Sequence, residues 1–227
     1  MFRELFTLKL SGHLFDNAEL LPRYIDLIRD LWRDGYRMVI VTGGGSLARQ
    51  YIELGRKMGV NESLLDMLGI SASRLNAQLL ASALYDIAYL SIPTNLDEVF
   101  KAWSTGRLVI TGGFQPGQST ATVALLVSEF LGIKRLIDCA NVDAVYTGDP
   151  RKDPNAKRLD KVRISELMSM LKSRTIAGTY DLLDPWALSI AQRGGVTIYV
   201  VGCNNPDALR NLIVNGVGAG TVIEVDH

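Results

Sequence analysis

The sequence predicts a layered α/β fold built on a mainly parallel sheet. Short β-rich apolar runs alternate with longer segments of helical period along 227 residues, the pattern of strands joined by crossover helices. Three of the strand-like runs end in glycine-rich turns. Those turns lead toward helices, at the carboxyl edge where such sheets hold their ligands.

The elements follow in order. Leu5 to Leu10 is an apolar run closed by Ser11-Gly12, and Leu20 to Asp34 is amphipathic and stops at Gly35. Met38 to Thr42 is a second strand, running into Gly43-Gly44-Gly45. Ser46 to Met58 reads as a helix ended by Gly59. Asn61 to about Leu90 is a long apolar helical region with Gly69 as a candidate break. Thr94 or Asn95 can cap a short helix through Trp103. Arg107 to Thr111 is a third strand, Ser119 to Leu131 a helix, and Arg135 to Ala140 a fourth strand. Charge, Asp, Pro and Gly then accumulate from Asn141 to Arg163, which predicts an ordered excursion over the surface. Ser165 to Lys172 is a short helix. Asp184-Pro185 opens another, with Asp as N-cap and Pro at the first helical position; it stops at Gly194-Gly195. Val196 to Val201, Asp207 to Val214 and Thr221 to Val225 read as strand, helix and strand.

The totals exclude several classes. Lys plus Arg equals Asp plus Glu at 24 each, whereas a dedicated nucleic-acid binder shows a basic excess. No basic stretch precedes an N-terminal apolar run, and no apolar run reaches the length of a membrane span, so neither a signal peptide nor a transmembrane helix is expected. The expected compartment is the cytoplasm. The two cysteines, Cys139 and Cys203, each sit in a strand-like apolar run and are expected to be buried reduced thiols. Neither metal-ligand spacing nor a disulfide framework is visible. The only histidines are His13 and His227, which argues against a Ser-His-Asp or Cys-His hydrolase.

Four segments carry chemistry. In Lys9-Leu10-Ser11-Gly12 a lysine near a strand end aims a compact positive charge at the ligand edge, suited to a transferring phosphoryl group; alternatively it is a surface lysine. Thr42-Gly43-Gly44-Gly45 followed by a helix makes an anion cradle of backbone N–H groups, and Arg49 lies one turn inside. Gly112-Gly113-Phe114-Gln115-Pro116-Gly117-Gln118-Ser119-Thr120 imitates a P-loop, but Gln118 stands where its lysine belongs. What remains suits a nucleotide's base and single phosphate. Asn141-Val142-Asp143-Ala144-Val145-Tyr146 with Asp149-Pro150 leaves a strand: Asp143 could orient Lys9 or a magnesium ion, and Tyr146 could pack on adenine, against an Asx-rich turn as the bland alternative. Asp66 is either on a solvated face or an acceptor of ribose hydroxyls. No general base stands out. An acceptor phosphate needs none, since its second pKa near ~6 leaves it largely deprotonated.

These residues resemble the amino acid kinase family, and within it the archaeal-type uridylate kinases, over nearly the whole chain. The resemblance rests on Lys9-Leu10-Ser11-Gly12, Val41 to Gly45 with Arg49, Asp66-Met67-Leu68-Gly69, Thr111 to Thr120, Asn141 to Tyr146 with Asp149-Pro150, and Gly178 to Pro185. It implies a three-layer α/β/α sandwich of the carbamate kinase-like type. It implies one domain, 1–227, with an acceptor-binding lobe over about 1–134 and an ATP-binding lobe over about 135–227. It implies transfer of the γ-phosphoryl group of ATP to UMP, giving UDP in pyrimidine nucleotide biosynthesis, with magnesium between the phosphates. Lys9, Leu10, Ser11, Gly12, Gly45 and Arg49 would contact ATP phosphates, and Ala140, Asn141, Tyr146 and Asp149 would line the adenosine side. Gly44, Asp66, Phe114, Gln115, Pro116, Gly117, Gln118, Ser119 and Thr120 would hold UMP. Lys9, Arg49 and Asp143 would be catalytic, Asp143 by organising the lysine, with no protein-held metal site. The implied assembly is a homohexamer, a trimer of dimers. His13, Ala140 and Ala144 depart from the family pattern, where Lys, Thr and Gly are usual. Kinases of this fold with other small acceptors, and non-catalytic nucleotide or oxyanion binders, are the alternatives.

Overall fold

The computed structural model describes residues 3–148, 155–172, 183–218 and 220–226. Alternation of side chains with a period of two builds the centre of the molecule. Strands β1 (Glu4–Leu10), β2 (Tyr36–Thr42), β3 (Val109–Thr111), β4 (Arg135–Ala140), β7 (Lys161–Arg163), β8 (Thr197–Gly202) and β9 (Thr221–Glu224) form one sheet in the order β3-β2-β1-β4-β8-β9-β7. Every neighbouring pair is parallel except β8 with β9. A small antiparallel pair, β5 (Val145–Tyr146) with β6 (Arg158–Leu159), stands apart.

Both faces of the sheet are apolar, as a covered parallel sheet requires. Phe6, Leu8, Leu10, Met38, Ile40 and Ile137 pack one face against α1 (Leu20–Arg33), α3 (Glu62–Ala83) and α8 (Pro206–Asn215). Val39, Val41, Leu136, Ile198 and Val200 pack the other against α4 (Leu96–Ser104), α5 (Thr120–Phe130), α6 (Ile164–Lys172) and α7 (Pro185–Gly194). The result is a three-layer α/β/α sandwich. Helix α2 (Gly45–Lys57) lies on α3, where a side chain at Gly55 would run into Leu65. Caps set the helix starts: Asn61, Asn95, Ser119, Asp184 and Asn205 each accept a backbone N–H with the side chain, one of the donors a first turn leaves unpaired.

Four expectations change. Helix α3 runs unbroken through Gly69 and ends at Ala83, not near Leu90; Gly69 faces α2, where an added Cβ would lie 3.3 Å from Ile52, so the glycine permits close packing rather than a break. The third strand begins at Val109, with Leu108 in an isolated bridge to Ala88. The excursion from Asn141 does not stay on the surface, because β7 returns to pair with β9 as an edge strand of the main sheet. The cysteines are not reduced thiols: Cys139 and Cys203 form a disulfide, with Cα atoms 4.9 Å apart. Their separation of 64 residues hides the pairing, but β4 and β8 are parallel neighbours with Cys139 opposite Val201. Cys203 follows two residues later, again on the α1/α8 face.

Candidate functional site

Strand β1 is flanked by β2 on one side and β4 on the other. The chain winds outward through β2 and β3, then crosses back to β4. This reversal opens a crevice at the carboxyl ends of β1 and β4, where open α/β sheets bind ligands. Lys9, next to last in β1, lies there at 8% exposure. Its Nζ is 2.9 Å from Oδ1 of Asp138 on β4, its register partner. Asp138 is fully buried. Burial pushes its carboxyl above the ordinary carboxylate value, and the Lys9 charge opposes the rise. The carboxylate against Lys9 is therefore Asp138. Asp143, expected in that role, forms no ion pair with Lys9; both of its oxygens instead accept from the Tyr146 hydroxyl at 3.2 Å.

Two glycine turns meet above this pair. A side chain on Gly12 would overlap the backbone of Gly45, which itself sits at φ 65°; only glycine fits both places. Gly43 N donates to Leu10 O at 2.9 Å, locking the β2 turn to the end of β1. Leu10 turns its side chain into the core, so only its backbone faces the crevice. Ser11 Oγ donates to Asn141 Oδ1 at 2.8 Å across the β1–β4 boundary. Asp16, in the short 3-10 turn Gly12–Asp16, accepts from Ser46 Oγ at 2.5 Å and Ser46 N at 3.3 Å, fixing the start of α2. Burial works against the Asp16 charge, yet the Ser46 and His13 contacts hold its carboxyl below the usual value. Arg49, one turn along α2, is exposed and has no protein partner among the described residues.

The loop after β3 is mounted on α3. Arg74 donates to Gly113 O and Phe114 O, both at 2.9 Å, and Ser73 Oγ accepts from Gly113 N at 2.8 Å. Asp66 Oδ2 accepts from Gly117 N at 2.9 Å, so Asp66 is exposed and clamps the loop. Asn76 Nδ2 donates to Gly43 O at 2.8 Å and joins the same helix to the β2 turn, beside Gly44. Gln115 and Pro116 lie exposed at the loop tip; Gln118 is half-buried, its Oε1 without a partner. Ser119 Oγ accepts from Thr122 N at 3.0 Å and donates to Asp184 at 2.7 Å, so its hydroxyl is committed and Thr120 opens α5. Asp184 also accepts from Thr122 Oγ1 at 2.9 Å and caps α7.

The structure thus brings Lys9, Ser11, Gly12, Gly45 and Asn141 into one crevice and holds Asp66 with Phe114 to Gln118 on α3. Ala140 is buried at the end of β4, its carbonyl accepting from Cys203 N at 2.8 Å. Tyr146 is half-buried in β5 beside the exposed Asp143. Asp149 and residues 178–182 of the resembling segments lie outside the described residues. Sequence reasoning missed Asp138, Asp16, Ser73, Arg74, Asn76 and the loop-tying role of Asp184. Spacing signalled some of them: Asp66, Ser73 and Arg74 are seven and eight residues apart, one face of a helix.

The amino acid kinase family model matches residues 4–202. A protein named uridylate kinase from Pyrobaculum arsenaticum is 46% identical over 216 residues, 95% of this chain and 97% of the relative. Another of that name from Sulfolobus acidocaldarius is 47% identical over 221 residues, 96% and 97%. The crystal structure of uridylate kinase from Archaeoglobus fulgidus superposes with a TM-score of 0.85 at 32% identity, covering 96% of this chain and 99% of that one. With the glycine-lined crevice, the sandwich and these similarities together, the chain belongs to the amino acid kinase family.

Proposed function

We propose that the chain is a uridylate kinase, moving the γ-phosphoryl group of ATP onto UMP to give UDP and ADP in pyrimidine nucleotide synthesis. The carrying observation is the loop from Gly112 to Gln118, anchored on α3 by Asp66, Ser73 and Arg74, which offers an acceptor site apart from the Lys9 crevice. A phosphate oxygen of UMP attacks the γ-phosphorus, and the bond to the ADP oxygen breaks with its electron pair leaving on ADP. No proton has to be removed from an acceptor phosphate already ionised at neutral pH. Catalysis then rests on positioning and charge neutralisation. Lys9 and Arg49 supply the positive charge, Gly12 and Gly45 supply backbone donors to ATP, and Ser11 reaches ATP by turning its hydroxyl away from Asn141. Ala140, Asn141 and Tyr146 line the adenosine side. Gly44, Asp66 and the loop through Thr120 hold UMP.

Magnesium fits this reading without a protein cage. Among the described residues no group of three His, Cys, Asp or Glu side chains is arranged to hold a metal ion. A magnesium ion carried on the ATP phosphates with its waters needs none, and Asp143 offers one exposed carboxylate at this edge. When bound, the ion neutralises phosphate charge. The N-terminal lobe, about 1–134, would hold the acceptor and the C-terminal lobe, about 135–227, ATP.

Contact between copies is supported by apolar side chains exposed on adjacent helices: Tyr51 and Leu54 on α2 and Met58 just past its end, with Leu64, Met67, Leu75 and Leu79 on α3; the homohexamer built of dimers is the assembly the family resemblance implies. Such a patch is costly to leave in water. No helix among the described residues is long and apolar enough to cross a membrane; the compartment proposed is the cytoplasm.

The test is ATP consumption with magnesium against UMP, CMP, AMP, GMP, acetylglutamate and carbamate. Turnover with UMP, lost in Lys9→Ala, is expected. Turnover with another acceptor and none with UMP would overturn the substrate; UMP binding without ATP consumption would make the chain a binding protein.

A further inference from the structure

We infer that Asp138 is a positioning residue, whose buried carboxylate holds the Lys9 ammonium at the carboxyl edge of β1 where the ATP phosphates lie. The inference rests on the kinase reading above for what Lys9 does. Lys9 and Asp138 are register partners on parallel neighbours, so their side chains leave the sheet on the same face, beneath α5. Their neighbours on that face of the two strands are Thr7, Leu136 and Ala140. Into this apolar ground the chain places a carboxylate with no exposure, 2.9 Å from Nζ. Among the described residues neither oxygen has a well-aligned hydrogen-bond donor, and the partner they show for it is the Lys9 ammonium.

Among the described residues no other charge pairs with either group. Opposite Asp138 on β8 stands Val200. The buried α5 residues over the pair are uncharged, and Glu129 at its far end is paired with Arg193. Asp184, the cap of α7, is taken by Ser119 and Thr122, and Asp143 by Tyr146. A buried ion pair commonly costs as much in desolvation as it returns. A gain in stability is thus a poor reason for this one, and a fixed place for a flexible lysine is a better one. A lysine stem has four rotatable carbons, and a misplacement of about an ångström at a reacting group costs about 100-fold in rate.

The experiment compares the full-length wild type with Asp138→Asn for ATP affinity by calorimetry and steady-state kinetics with ATP and UMP. The expected result is kcat/KM for ATP lower by roughly 10- to 100-fold, with KM for UMP unchanged. A variant that merely melts earlier, with wild-type kcat/KM for ATP, overturns the proposal. If the wild type does not consume ATP with UMP, the acceptor reading fails by itself. ATP affinity then decides: weakened at least about tenfold (about 1.4 kcal/mol) supports the role of Asp138, and unchanged affinity removes it. Should Asp138→Asn fail to fold, Lys9→Met is melted across pH beside the double variant. An orphaned Asp138 has a raised folded-state pKa, so stability falls as pH rises from the unfolded value toward the folded one. That slope should vanish in the double variant; equal slopes overturn the coupling.

Discussion

Charge at the crevice is concentrated in few side chains, so single substitutions there should read out cleanly. Lys9→Ala removes the buried ammonium and is expected to lower kcat by roughly 10²- to 10³-fold, the size of losing one fixed charge-stabilising group, with the melting temperature and UMP affinity measured alongside. Arg74 works differently. Its guanidinium bridges two consecutive carbonyls of the loop proposed to hold the acceptor, and hydrogen bonds from a charged donor contribute about 1.5–3 kcal/mol each. Arg74→Ala is therefore expected to raise KM for UMP by roughly tenfold or more while the KM for ATP stays in place. A matched loss in both would mean that the loop does not serve the acceptor.

Elements are joined by two ties that depend on partners distant in sequence. Asp184 caps α7 and accepts from Ser119 and Thr122 at the start of α5, coupling the end of the loop from Gly112 to α7. The disulfide joins β4 to the residue that follows β8. Closing a loop across 64 residues would contribute about 4 kcal/mol in the chain-entropy account, or roughly 10 °C in melting temperature for a chain of this size. Titration of protein unfolded without reductant should find no free thiol, and reduction should lower the melting temperature by that order. Two titratable thiols would refute the pairing.

Over the whole molecule, carboxylates tied by hydrogen bonds add to the acid sensitivity of the fold. Asp86 is held below its usual value by the Arg29 guanidinium, Glu98 by the Thr94 backbone and hydroxyl, and Asp226 by the Ser165 hydroxyl. Asp16 behaves alike, with burial opposing its Ser46 and His13 contacts. A depressed folded-state value contributes stability above the unfolded value, and that contribution is lost as pH falls through the folded one. The melting temperature should thus fall as pH drops below about 4, with a shallower fall in Glu98→Gln. The exposed apolar rows on α2 and α3 should hold copies together: Leu75→Glu with Leu79→Glu is expected to reduce the mass seen by light scattering. An unchanged mass would place the interface elsewhere.

The sequence by itself determined the alternation of strands and helices, the cap at Asp184, a cap at Thr94 or Asn95, and the glycine turns after three strands. These are local matters: period, cap chemistry and the conformational freedom of glycine act within a few residues. It also picked out Lys9, Arg49 and the loop from Gly112, because residue type and spacing there are unusual for plain turns. Tertiary structure alone decided which carboxylate meets Lys9, since Asp138 reads as one more residue of an apolar strand until β4 is laid beside β1 in register. The same pairing of neighbours joined Cys139 to Cys203, drew β7 back to the edge of the sheet, and set Asp66 and Arg74 under a loop some forty to fifty residues away in sequence. Contacts between distant segments depend on strand order and register, and those follow from how the whole apolar surface is buried.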